Sequence, residues 1–120
     1  MTICVVGHSN PDTDSVTSAI ALSALMKAQG QDSKACMQSD VDGLNPESKM
    51  VLDRFGLAAP EQISDASGKQ LALVDFSDIA QGPENLEDAE VIAIVDHHKI
   101  GDVTTNNPIL FRAEPVGCTG

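Results

Sequence analysis

Short apolar runs recur along the 120-residue chain, and each is followed at once by polar residues. Ile3-Cys4-Val5-Val6 runs into Gly7, Leu71-Ala72-Leu73-Val74 into Asp75, and Val91-Ile92-Ala93-Ile94-Val95 into Asp96. Continuous apolar runs of this length, without polar alternation, are the pattern of strands buried on both faces in a parallel sheet. They predict strands over residues 2–6, 71–74 and 91–95, with weaker ones over 33–38 and 109–112. Between the first two runs the spacing changes. Val16, Ala19, Ile20, Ala24 and Leu25 form an apolar face at helical period, widened by Ala21, Leu22 and Met26, and predict a helix over 14–29 that stops at Gly30. Asn45-Pro46-Glu47 is a second helix start, with Asn as cap, Pro at the first position and an acid in the first turn. That helix would carry Met50, Val51 and Phe55 and end at Gly56. Residues 39–46, 57–67 and 101–108 read as loops or irregular chain, 77–89 as a loop or short helix, and 114–120 as a strand-to-helix turn. Strands alternating with helices predict an α/β fold, a mostly parallel sheet with helices on both faces.

Composition sharpens this picture. The chain has no Trp or Tyr and three Phe, so its core is aliphatic, as suits helices packed on a parallel sheet. Asp and Glu outnumber Lys and Arg 18 to 7, a net charge of −11. This argues against nucleic acid as a partner and leaves few cations to hold a phosphate; bound metal ions could supply part of the missing charge. No apolar stretch reaches the ~18 residues of a membrane span, and the first run is too short, with no basic flank, for a signal peptide. Cys4, Cys36 and Cys118 form no CxxC pair, which predicts a reduced, cytoplasmic protein with no membrane partner.

The chemistry gathers where the strands end. His8-Ser9-Asn10-Pro11-Asp12-Thr13-Asp14-Ser15 follows the first strand, Asp75 the middle one, and Asp96-His97-His98 the last. Ligands of open α/β sheets bind at the carboxyl ends of the strands. Taken alone, Asp12, Thr13 or Asp14 would simply cap the helix. Taken together, His8, Asp12, Asp14, Asp75 and His97 are five nitrogen and oxygen donors without a thiolate, suited to manganese, cobalt or zinc. Five donors exceed the needs of one ion and predict two ions sharing a carboxylate, with Asp75 as the bridge. His98 is then a candidate general acid or substrate contact. The chain has no GxSxG, Walker-type loop or GxGxxG.

The opening HxNPDTDS pattern, the Asp96-His97-His98 triplet and Arg112-x-Glu114-Pro115-Val116-Gly117-Cys118-Thr119 resemble, in this order, the DHH phosphoesterases. Within them the chain looks most like the family II, manganese- or cobalt-dependent inorganic pyrophosphatases. Relatives that cleave short oligonucleotides or cyclic dinucleotides usually carry Gly in place of Thr13 and Ala in place of Ser15. The resemblance implies hydrolysis of pyrophosphate to two phosphates by a metal-bridging hydroxide. His8 and Asp12 would bind one Mn2+ or Co2+, Asp14 and His97 a second, and Asp75 both. Catalytic roles would fall to Asp75 and His98. Asp96 and Asn10 would support the metal-binding side chains from behind, and Mg2+ would arrive with the substrate. It further implies a homodimer formed through sheet edges. Phe76-Ser77 depart from the family's usual His-Asn, although Asp78 follows. A further Asp ligand and a second, basic domain that grips pyrophosphate would lie beyond residue 120. Residues 1–120 are therefore expected to be an incomplete N-terminal DHH catalytic domain without its substrate-gripping partner. Other DHH activity on polyphosphate or a small nucleotide, or a non-catalytic metal- or phosphate-binding fragment, are the alternatives.

Overall fold

In the computed structural model, which describes residues 1–120, six strands form one sheet. In chain order the elements are β1 (Ile3–Val6), α1 (Thr13–Ala28), β2 (Ser33–Met37), α2 (Pro46–Arg54), β3 (Glu61–Gln62), β4 (Gln70–Val74), β5 (Glu90–Asp96) and β6 (Leu110–Ala113). The sheet order is β3-β2-β1-β4-β5-β6, and every neighbouring pair is parallel. β1 lies at the centre, with Ile3 opposite both Ser33 and Gln70. From β1 the chain builds outward through β2 and β3. It then returns to the other side of β1 and builds outward through β4, β5 and β6. The order therefore reverses between β1 and β4, the switch point where α/β sheets open a crevice.

The pleat divides the core in two. Ile3, Val5, Ala72, Val74 and Ala93 face α1, where they meet Ala19 and Met26. Cys4, Val6, Leu71, Leu73 and Ile94 face the other way, against Ile63, Ala66, Phe76 and Leu86. α1 and α2 both lie on the first side: Leu52 of α2 packs with Val16, Met37 and Leu44. The second side is covered by loops and short 3-10 turns, Ile79–Gln81 and Leu86–Asp88, in the stretch 77–89 where a loop or short helix was expected. Gly82, Pro83 and the left-handed Asn85 (φ 60°) leave no run long enough for an α-helix. Cys4 and Cys36 are buried on this side. Burial, reinforced by the neighbouring Cys4, pushes the Cys36 thiol up to about 12, so it is a packing residue and not a nucleophile.

Three expectations are corrected. The inner side of α1 is Ser15, Val16, Ser18, Ala19, Ser23 and Met26, while Leu25 is 53% exposed. Counting only apolar residues rotated the face, because these serines satisfy their hydroxyls locally. Ser23 Oγ pairs with Ser33 Oγ at 3.0 Å, and Ser18 Oγ donates to Asp14 Oδ1 at 2.8 Å. In α2, expected to reach Phe55 but ending at Arg54, Ser48 and Leu52 are buried, whereas Met50 is 61% exposed and the C-cap Phe55 70%. This nine-residue helix meets α1 through its first turn, where Thr13 Oγ1 donates to Glu47 Oε1 and lies 3.3 Å from Ser48 Oγ. Residues 57–67, read as irregular, contain the edge strand β3 and two core residues, Ile63 and Ala66.

Candidate metal centre

Three strand exits build the site, and each turns in its own way. After β1, a Cβ on Gly7 would stand 1.8 Å from Ser15 Oγ, so only glycine lets the loop lie this close to α1. Asn10, at φ 50°, turns the loop back, and Asp12 caps α1 by accepting from Ser15 N at 2.9 Å. The capping reading and the ligand reading therefore meet in one side chain. After β4, Asp75 is itself left-handed (φ 66°), an unfavourable backbone for a residue with a side chain, held by its N–H to Val95 O at 3.0 Å. After β5, buried Asp96 uses Oδ1 to accept from His97 N (2.7 Å), His98 N (3.2 Å) and His98 Nδ1 (2.7 Å).

The two oxygens of Asp75, which is 2% exposed, face different histidines. Oδ2 lies 3.1 Å from His8 Nε2, and Oδ1 lies 3.0 Å from His97 Nε2. Asp12 Oδ1 stands 3.5 Å from the same His8 nitrogen, and Asp14 Oδ2 stands 3.4 Å from the same His97 nitrogen. Each imidazole meets a backbone carbonyl through Nδ1: His8 that of Ser9 at 2.7 Å, His97 that of Val116 at 3.2 Å. A carbonyl only accepts, so Nδ1 carries the hydrogen in both rings. In a neutral ring the Nε2 lone pair then points at carboxylate lone pairs, an arrangement that repels unless a cation sits between them. In the metal-free protein a proton does this at His8. The Asp75 carboxylate, over the opposing effect of burial, raises His8 from 6.5 to about 9.

Asp14 is held differently. Burial would raise its carboxyl, but hydrogen bonds from Thr119 N and Gly120 N, each 2.8 Å, and from Ser18 Oγ keep it below its ordinary value. The two backbone donors lie 105 and 106 residues away in the chain. Thr119, Gly120 and the Val116 carbonyl are site residues whose roles the sequence reading missed. The Arg112–Thr119 motif had marked the segment, but no local spacing ties it to Asp14 or His97.

His98 is half-exposed and tilted against His97, with ring centroids 4.1 Å apart. Asp96 holds it, while Asp96 Oδ2 is buried without a partner. Asn10 is exposed and left-handed, and no hydrogen bond joins its side chain to the histidines. Phe76 points into the core beneath the sheet, and Ser77 Oγ accepts from Gly101 N at 2.7 Å, tying the β4 and β5 loops together.

The donors form two groups that share Asp75: His8, Asp12 and Asp75, and Asp75, Asp96, His97 and His98. Asp14 approaches the second through His97. Imidazole nitrogens aimed at carboxylates, with no thiolate, fit first-row divalent ions such as manganese.

The family model described as the DHH family, N-terminal domain, matches residues 2–120. The chain is 51% identical over 130 residues to a protein named "Probable manganese-dependent inorganic pyrophosphatase" from Archaeoglobus fulgidus, covering 98% of this chain and 39% of that protein. It is 45% identical to the manganese-dependent inorganic pyrophosphatase of Methanothrix thermoacetophila, covering 98% of this chain and 37% of that one. A crystal structure assigned to a family II inorganic pyrophosphatase of Methanococcus jannaschii superposes with a TM-score of 0.87 at 45% identity, over 98% of this chain and 36% of the other. The chain thus spans well under half the length of the relatives it matches. With its motifs, its all-parallel sheet and a match from residue 2 to residue 120, the chain belongs to the DHH family, as an N-terminal domain of the kind found in family II inorganic pyrophosphatases.

Proposed function

We propose that the protein carrying this chain hydrolyses inorganic pyrophosphate to two phosphates, and that this domain holds the metal ions for the reaction. One observation carries the reading: the two oxygens of Asp75 face the Nε2 atoms of two histidines whose Nδ1 atoms are already committed to carbonyls. Pyrophosphate as substrate and manganese as metal are supported by the names of relatives that are 40–51% identical.

In this reading His8 and Asp12 hold one ion, Asp14 and His97 the other, and Asp75 both. The ions are Mn2+ or Co2+, with Mg2+ entering on the substrate. Two such ions, when bound, would supply positive charge to the phosphates and generate the attacking hydroxide near neutral pH. The chain's own residues prepare the site. The Ser9 and Val116 carbonyls fix the imidazole tautomers. Thr119 N, Gly120 N and Ser18 Oγ orient Asp14 and keep it ionised. Asp96 locks His97 and His98 through its Oδ1. Half-exposed His98 is placed to give a proton to the departing phosphate or to hydrogen-bond it.

The chain is an N-terminal catalytic domain, and further polypeptide supplies the cations that grip the substrate; its excess of acids, 18 to 7, supports this. Two copies would pair along an open sheet edge, where β6 exposes Leu110 and Phe111. A cytoplasmic location is supported by three free cysteines. No helix is long and apolar enough to cross a membrane.

The test is phosphate release by the protein carrying this domain, with Mn2+ and Mg2+, from pyrophosphate, tripolyphosphate and a short oligonucleotide. Pyrophosphate should be the preferred substrate, and Asp75→Ala should abolish both bound Mn2+ and turnover. Retention of both by the variant would refute the shared role of Asp75. Preference for another substrate would move the activity elsewhere within the family.

A further inference from the structure

We infer that Gln38 is a positioning residue that fixes the His8 loop against the loop following Asp75, and so sets the His8–Asp75 geometry for a metal ion. This rests on the metal-holding reading above. Gln38 is the first residue beyond β2, and its side-chain hydrogen bonds go to backbone carbonyls and not to the proposed ligands. Its side-chain amide donates two hydrogen bonds: to the Gly7 carbonyl at 2.8 Å and to the Gln81 carbonyl at 2.9 Å. Gly7 directly precedes His8, and Gln81 closes the 3-10 turn Ile79–Gln81 that follows Asp75. The Gln81 carbonyl also accepts from Ser9 N at 2.8 Å. The Ser9 carbonyl in turn holds His8 Nδ1. One amide group therefore joins the exits of β2, β1 and β4 on either side of the switch point. The carbonyls of Gly7 and Gln81 are acceptors, so only a donor can hold both together.

The geometry is one-sided. Asp14 and His97 are held by the Val116–Gly120 segment, whereas the Gln38 amide donates to Gly7 and Gln81. Loss of the Gln38 amide should therefore loosen the His8 side and leave the His97 side in place. A general structural role would weaken both sides together with the fold.

The experiment compares Gln38→Met, of similar length but without donors, with Gln38→Glu, which sets an acceptor against two carbonyls. Two readouts are taken on the protein carrying this domain. The first is divalent-ion affinity at each side, followed with diamagnetic Zn2+ through the 15N shifts of the His8 and His97 Nε2 atoms, which respond to direct coordination. In both variants, affinity at the His8 side should fall by about tenfold or more, the range for partners that orient metal ligands. Affinity at the His97 side should stay unchanged. The second, which needs no metal, is amide hydrogen exchange. Exchange at Ser9 should speed up by about tenfold or more while the β1 amides keep their protection. Equal losses at both sides, or undiminished affinity at the His8 side, would overturn the inference, as would unchanged exchange at Ser9. A wild-type protein that binds no divalent ion would refute the metal reading itself, and Ser9 exchange would still decide whether Gln38 holds the loop.

Discussion

Binding of a divalent ion at the His8 side must displace a proton, and the number displaced can be worked out. In the metal-free protein Asp75 holds His8 at about 9. At pH 7.5 the ring is then roughly 97% protonated. An ion that takes the Nε2 position must expel that proton, so Mn2+ binding should release about one proton from His8. Apparent affinity should rise about tenfold between pH 7 and pH 8 and level off above pH 9. Calorimetry in two buffers of different ionisation enthalpy counts the protons directly. Release of less than about 0.3 proton at pH 7.5, or a flat affinity between pH 7 and 8, would refute the geometry between His8 and Asp75. The same coupling acts on folding without metal, and with the opposite slope. The folded protein holds the His8 proton more tightly than the unfolded chain does. This contribution is therefore complete below pH ~6.5, amounts to no more than about 2 kcal/mol at pH 7.5, and is lost as the pH rises through 9. Solvent at the partly exposed ring makes that an upper figure. Urea unfolding of metal-free protein should show the fall, and Asp75→Asn should flatten it.

Three further outcomes follow from the packing. Asp12→Asn should keep the α1 cap and lose Mn2+ affinity, whereas Asp12→Ala should lose affinity and about a further 1 kcal/mol of stability; equal stabilities would mean the cap contributes nothing. Gly7→Ala should cost about 1–3 kcal/mol in a denaturant melt through its clash with Ser15. Ser15→Gly should relieve that clash better than Ser15→Ala, because Ser15 Cβ itself would lie 2.8 Å from the new methyl. Leu52→Ala should cost about 2–5 kcal/mol, and Phe55→Ala, at an exposed site, less than about 0.5 kcal/mol by thermal unfolding. A larger loss at Phe55 would show that a covered surface had been read as open.

The elements that were legible are those whose cause is local. Val91–Val95 is a strand because five apolar residues in a row need burial on both faces, and α2 starts at Pro46 because Asn45 caps it from the preceding position. His8, Asp12, Asp14, Asp75, His97 and His98 stood out because each follows an apolar run at the end where α/β sheets bind ligands. What escaped was set by partners that residue type and apolar spacing do not name. The inner face of α1 is rich in serine because Ser33 supplies a hydroxyl to Ser23, and a periodicity count gives serine no weight. The exposure of Met50 and Phe55 was not legible either, because apolar spacing does not say which flank of a short helix meets its neighbour.

The chain's own chemistry thus determined the strand runs, the helix caps, the acidic balance and the inventory of imidazoles and carboxylates, since all depend on residue type over a few positions. Only the tertiary structure decided the sheet order that sets β1 beside β4, the aiming of one carboxylate at two histidines, and the return of Thr119 and Gly120 to Asp14. These depend on contacts between segments tens to a hundred residues apart. Such contacts exist only once the shared core has closed, and hydrophobic burial, which closes it, is blind to the direction in which a carboxylate points.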